Sequence, residues 1–206
     1  MSRTTLTNIN AGAKIQRCAI ANPFEHYKPE SERSIKKFEV KENEIINQLK
    51  SKFKRYHDKE DYDGTRSLVR NLKISSKDVT DFSIALAEMQ NEDDFERKAG
   101  FFLSVLVNKC PEDEVMIIIN HLERVPDYIG YKNTKQTTIK GNVGDLFGGH
   151  NTGILVVNGR TGKMCGFCNE GIIHINGIIG SLDANLGLGS IFNHGMRIVE
   201  DGVKYD

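Results

Sequence analysis

The sequence predicts an α+β fold: a small bundle of helices followed by a short C-terminal β-solenoid of 18-residue coils. Three observations predict it. Residues 41–122 carry apolar side chains at helical spacing. Past Gly130 the chain becomes rich in Gly, Ile, Val and Asn, with strand-like triplets. Within that region, residues 141–158, 159–176 and 177–194 are three tandem copies of one glycine-punctuated unit, and a fixed period marks a repeat architecture. The chain therefore divides into an extended polar arm (1–40), a helical domain (41–124) and a glycine-rich solenoid domain (125–206).

The arm is polar and irregular, with Pro23 and Pro29 close together. From about Lys41 the pattern becomes helical, with Ile45, Ile46, Leu49 and Phe53 on one stripe. Gly64 interrupts it, and a short second helix follows from Thr65. A third opens with Ser75 or Ser76 as N-cap and buries Phe82, Ile84, Leu86 and Met89. A fourth begins near Asn91, with acidic residues in its first turn as the helix dipole favours. It runs through Phe101, Phe102, Val105 and Leu106 to Lys109. After Pro111 a last helix is expected over 112–122, carrying Val115, Ile117 and Ile118.

In the repeat, Gly141, Gly159 and Gly177 open the copies; Gly144, Gly162 and Gly180 match, as do Gly153, Gly171 and Gly189. Gly148 and Gly166 match each other, with Ala184 in the third copy. Leu146, Met164 and Leu182 keep register, then Leu155, Ile173 and Ile191, then Val157 and Ile175. Stacked coils place equal positions about 4.8 Å apart, so the aliphatic side chains form interior ladders. Asn151 over Asn169 and Asn158 over Asn176 are set to form amide ladders. His174 and His194 lie on or beside strands, out of register with each other, and read as outward-facing.

The strings Gly141-Asn-Val-Gly-Asp-Leu-Phe-Gly and Gly159-Arg-Thr-Gly-Lys-Met-Cys-Gly, each followed by Gly and an aliphatic triplet, resemble GXGXG repeats. That family includes the C-terminal domain of the glutamate synthase large subunit and the C subunit of formylmethanofuran dehydrogenase. The resemblance covers residues 137–200. It implies a right-handed β-helix whose role is scaffolding, holding domains or subunits together, with no catalytic residues to transfer.

No complete catalytic motif is present: no Ser-His-Asp set, paired carboxylates, Walker loop or H-E-x-x-H. The main expectation is a non-enzymatic interaction or assembly protein, working as a homo-oligomer or with a protein partner subunit, and needing no cofactor. Two other readings stand beside it. Cys165 and Cys168 form a C-x-x-C; His150 matches Cys168 one coil earlier, and Asp183 matches Cys165 one coil later. These four could ligate zinc. Lys50, Lys52, Lys54 and Arg55 open a basic segment, 50–73, interleaved with Phe53 and Tyr56. It could contact an anion, a protein partner or a nucleic-acid backbone.

Basic and acidic residues number 28 each, so the net charge is zero. The first 76 residues carry +6 and the rest −6, an asymmetry that suits attraction within or between chains. No apolar run reaches the ~18–20 residues of a membrane span. The start lacks an apolar leader. Four cysteines without one read as free thiols in a reducing cytoplasm.

Overall fold

A computed structural model describes residues 44–56, 61–183 and 185–205; the polar arm lies outside them. Among the described residues four α-helices come first: α1 (Glu44–Lys54), α2 (Tyr62–Leu68), α3 (Ser76–Ala85), continued by a 3₁₀ turn at Leu86–Met89, and α4 (Phe95–Lys109). Seven strands follow: β1 (Glu114–Ile118), β2 (Gln136–Lys140), β3 (Ile154–Asn158), β4 (Ile172–Ile175), β5 (Ser190–Asn193), β6 (Met196–Glu200) and β7 (Val203–Lys204). They form one sheet in chain order, parallel from β1 to β5 and antiparallel from β5 to β7.

Each helix starts and buries as its sequence dictates. In α1 the predicted stripe holds, with Ile46, Leu49 and Phe53 buried. Asp61 caps α2 by accepting from the amides of Asp63 and Gly64, both at 3.1 Å. Ser75 caps α3 in a reciprocal box with Asp78. Phe53, Phe82, Phe95 and Phe102 meet largely edge-on, with centroids 5.2–6.2 Å apart. Buried side chains of the helices and the solenoid form one continuous core.

The expected last helix over 112–122 is instead β1. Val115, Ile117 and Ile119 are buried in strict alternation, the period of a strand. The segment is too short and too rich in Ile and Val for helical spacing to dominate. It pairs with β2, Val115 opposite Thr137 and Ile117 opposite Ile139.

From β2 the period is 18 residues, Gln136 to Ile154 to Ile172 to Ser190. The solenoid thus reaches one coil further back than its glycines show. Residues 123–140 lack glycine at all three outer positions, yet repeat the corner backbone. Tyr128, Gly130 and Lys132 have φ of 57°, 74° and 54°; Leu146, Gly148 and His150 have 57°, 69° and 53°; Met164, Gly166 and Cys168 have 56°, 79° and 48°. Every second residue of the corner is left-handed, a conformation that glycine alone adopts without penalty. The last coil leaves this path. Gly187 is left-handed there (φ 69°), and Leu182 pairs with Cys165 rather than Met164.

Inside, equal positions stack. One column is Thr137, Leu155, Ile173 and Ile191; another is Ile139, Val157 and Ile175; all are buried. A third is asparagine. Asn133 Nδ2 donates to Asn151 Oδ1, and Asn151 Nδ2 to Asn169 Oδ1, both at 2.9 Å. Each amide also donates to the carbonyl two residues ahead, at Lys135, Gly153 and Gly171. The buried polar column is thereby satisfied at every level, as a dry interior requires. Outside, Asn176 donates to Asn158 at 2.9 Å. The opening glycines serve close approach, since a Cβ on Gly159 would lie 2.2 Å from the Gly141 carbonyl oxygen.

The helices close the first end. Thr80 Oγ1 donates to the Met116 carbonyl (2.7 Å), and the Ile118 amide donates to Ser83 Oγ (3.0 Å), so α3 satisfies the free edge of β1. Helix α4 lies against the first corner. A Cβ on Gly100 would sit 1.4 Å from the Asp127 carbonyl oxygen. Ser104 Oγ donates to the Tyr128 carbonyl and accepts from the Tyr131 amide.

Candidate functional site

The four residues matched by the repeat register do not converge. Position 165 falls in an interior column, after Ile129 and Phe147, all three fully buried. Burial inside the coil pushes the Cys165 thiol up to about 12. His150 and Cys168 sit on the left-handed outer corner, half-buried. The His150 ring stands edge-on between Tyr131 (5.5 Å) and Phe167 (5.0 Å). The buried Asp183 spends Oδ1 on the Asn185 amide at 2.7 Å. Among the described residues no group of three or more His, Cys, Asp and Glu side chains is disposed to hold a metal ion. The C-x-x-C spacing reads as a ligand pair only when both cysteines leave the same turn on one side. Here one points into the coil and the other lies at its corner.

The basic segment is also split. Lys50 Nζ pairs with Glu88 at 2.9 Å and Lys52 Nζ donates to the Leu68 carbonyl at 2.7 Å, so both work inside the helical bundle. Lys54 and Arg55 are exposed. Further along the segment, Arg66 and Arg70 face a groove that Lys109 and Lys132 also line. These last two come from distant parts of the chain, and no local pattern in the sequence announces them.

The second end of the solenoid differs from the first. The tail after the third copy supplies two strands, β6 and β7. His194 and Gly195 (φ 47° and 80°) turn β5 into β6, and Asp201 and Gly202 (φ 49° and 76°) turn β6 into β7. Paired left-handed residues at two-residue loops match the twist of a hairpin, and Asp-Gly is the sequence signal for one. β6 covers the edge of β5, but β7 pairs with Val199 and Glu200 alone. Among the described residues no strand or bridge continues beyond Ile179 and Leu182 of the last coil. Ile178, Leu188, Met196, Val203 and Tyr205 are 77, 73, 71, 60 and 51% exposed. Elsewhere among the described residues the exposed large apolar side chains reach 47% at most. A Cβ on Gly202 would lie 2.9 Å from the Gly187 carbonyl oxygen, so the turn before Val203 meets the corner before Leu188. The exposed apolar surface thus gathers on the last coil and its tail.

Among the described residues no helix is long and apolar enough to cross a membrane. Comparison with protein-family models, with curated proteins and with solved structures finds no match for this chain.

Proposed function

We propose that this protein is a non-enzymatic assembly module whose solenoid joins a second copy of the chain end to end. The observation that carries this reading is the contrast between the two ends. One is sealed by α3 and α4; among the described residues, the other leaves coil edges and five strongly exposed apolar side chains uncovered. Open strand edges beside apolar surface favour pairing with another chain. Net charge is zero, so two copies meet without bulk repulsion. Because the first end is capped, association through the second end closes at two copies, with the same patch on both. The resemblance to GXGXG scaffolding domains points the same way. Sedimentation velocity of the full chain tests it. The wild type is expected to shift from one to two copies with concentration, and Leu188→Lys with Met196→Lys to remain a monomer with unchanged helix and strand content. A wild-type monomer at every concentration overturns the proposal.

A further inference from the structure

We infer that the groove between α2, the end of α4 and the first solenoid corner is a binding site for a small polyanion carrying phosphate groups. The groove encloses about 680 Å³, within the range of small-molecule sites. Arg66, Arg70, Lys109 and Lys132 line it, against one carboxylate, Asp63, which lies 3.9 Å from the Lys132 ammonium. Arg66 lies on α2, and Arg70 lies in the turn just after it, whose amide donates to the Ser67 carbonyl at 3.3 Å. Both are exposed, with their guanidinium forks available for the bidentate contacts that phosphate oxygens accept.

The other two cations are held in place. Lys109 Nζ donates to the Arg70 carbonyl at 2.9 Å. That ties the turn carrying Arg70 to α4. The Lys132 ammonium lies 5.1 Å from the Tyr62 ring centroid and 5.6 Å from that of Tyr131. Its backbone is left-handed at φ 54°, a conformation maintained because the corner repeats through three coils.

Asn108 fixes the walls. Its Nδ2 donates to the Tyr62 hydroxyl (2.7 Å) and to the Lys132 carbonyl (2.9 Å), and its Oδ1 accepts from the Thr134 amide and hydroxyl (3.0 and 3.1 Å). One carboxamide thus joins α2, α4 and the solenoid corner. A positive site assembled from three elements and locked by neutral hydrogen bonds is organised before ligand arrives. A nucleic-acid track would need a continuous row of cations along the segment. Lys50 and Lys52 are engaged by Glu88 and the Leu68 carbonyl, so the row is interrupted between the exposed Lys54 and Arg55 and the groove.

Calorimetric titration of the full chain with inorganic pyrophosphate, at about 50 mM salt where surface charges are weakly screened, tests the inference. Pyrophosphate is expected to bind, at least tenfold tighter than citrate, which carries comparable charge without phosphate geometry. Arg66→Gln with Arg70→Gln is expected to weaken pyrophosphate at least tenfold while melting at the wild-type temperature, since both side chains are exposed. Arg66→Lys with Arg70→Lys keeps the charge and is expected to fall between. No binding by the wild type, equal binding of citrate, or unchanged binding by the Gln variant overturns the site. A single-stranded oligonucleotide that binds more tightly than pyrophosphate and is not displaced by it also overturns it, in favour of a nucleic-acid interface.

Discussion

Replacing Asn151 by Ala interrupts the interior amide column at its middle. Asn151 takes part in four hydrogen bonds: from Asn133, to Asn169, to the Gly153 carbonyl and from the Gly153 amide. At about 1 kcal/mol net each, their loss costs roughly 4 kcal/mol. The partners are not all stranded. Asn133 keeps the Lys135 carbonyl, Asn169 keeps the Gly171 amide, and the Gly153 amide keeps the Asn133 carbonyl. The full penalty for orphaned buried groups is therefore avoided, and about 3–4 kcal/mol is expected. Asn151→Asp should cost more, because a carboxylate cannot donate to Asn169 or Gly153 and brings a charge into the interior. Asn158→Ala is the internal reference, since it removes one exposed bond to Asn176 and should cost under about 1 kcal/mol. Urea unfolding followed by circular dichroism measures all three. If Asn151→Ala unfolds within about 0.5 kcal/mol of Asn158→Ala, the amide column contributes nothing and this account of the interior is wrong.

Three further outcomes follow from the same interior. Ile173, fully buried between Leu155 and Ile191, should not tolerate Asp; Ile173→Asp is expected to abolish cooperative unfolding of the strands, and a folded variant of near wild-type stability would contradict the stacking. In a Cys18→Ser background, iodoacetamide should label the half-buried Cys168 in the native protein, and the buried Cys110 and Cys165 only in denaturant; early labelling of Cys165 by mass spectrometry would place it outside the column. The Cys165 thiol is raised by burial to about 12, while an unfolded thiol ionises near 8.5 (about the model-peptide value). Its share of stability is intact below the unfolded value and is lost as pH climbs toward the folded one, by up to about 1.4 kcal/mol per pH unit. Cys165→Ala should flatten the decline between roughly pH 9 and 12, and parallel curves would refute the buried-thiol assignment.

The repeat was legible because its glycines mark close approaches that no other residue fits, and their spacing is visible without any structure. The coil over 123–140 was not. Its left-handed corner is held by Tyr128 and Lys132, residues with no preference for that conformation, and α4 supplies the close contact that glycines supply elsewhere. The strand at Glu114–Ile118 was hidden because five apolar-rich residues fit either period, and only the partner strand decides. The tail carried its signal plainly in Asp201-Gly202, but its two-strand hairpin required a glycine turn to be weighed above a broken repeat. For the sites, an 18-residue step leads from Cys165 to Asp183, but in the last coil it is Leu182 that pairs with Cys165, and sequence does not say which positions face inward. The groove joins Arg66 and Arg70 to Lys109 and Lys132 through folding alone.

The proposed end-to-end assembly makes a demand on specific backbone amides. Amide hydrogen exchange of the full chain, compared between dilute and concentrated protein, tests it most directly. Protection is predicted to rise with concentration over 177–205, the last coil and the two tail strands, and to stay constant over α3 and α4. Exchange that does not depend on concentration, or a rise confined to the helices, would contradict the open solenoid end as the joining surface.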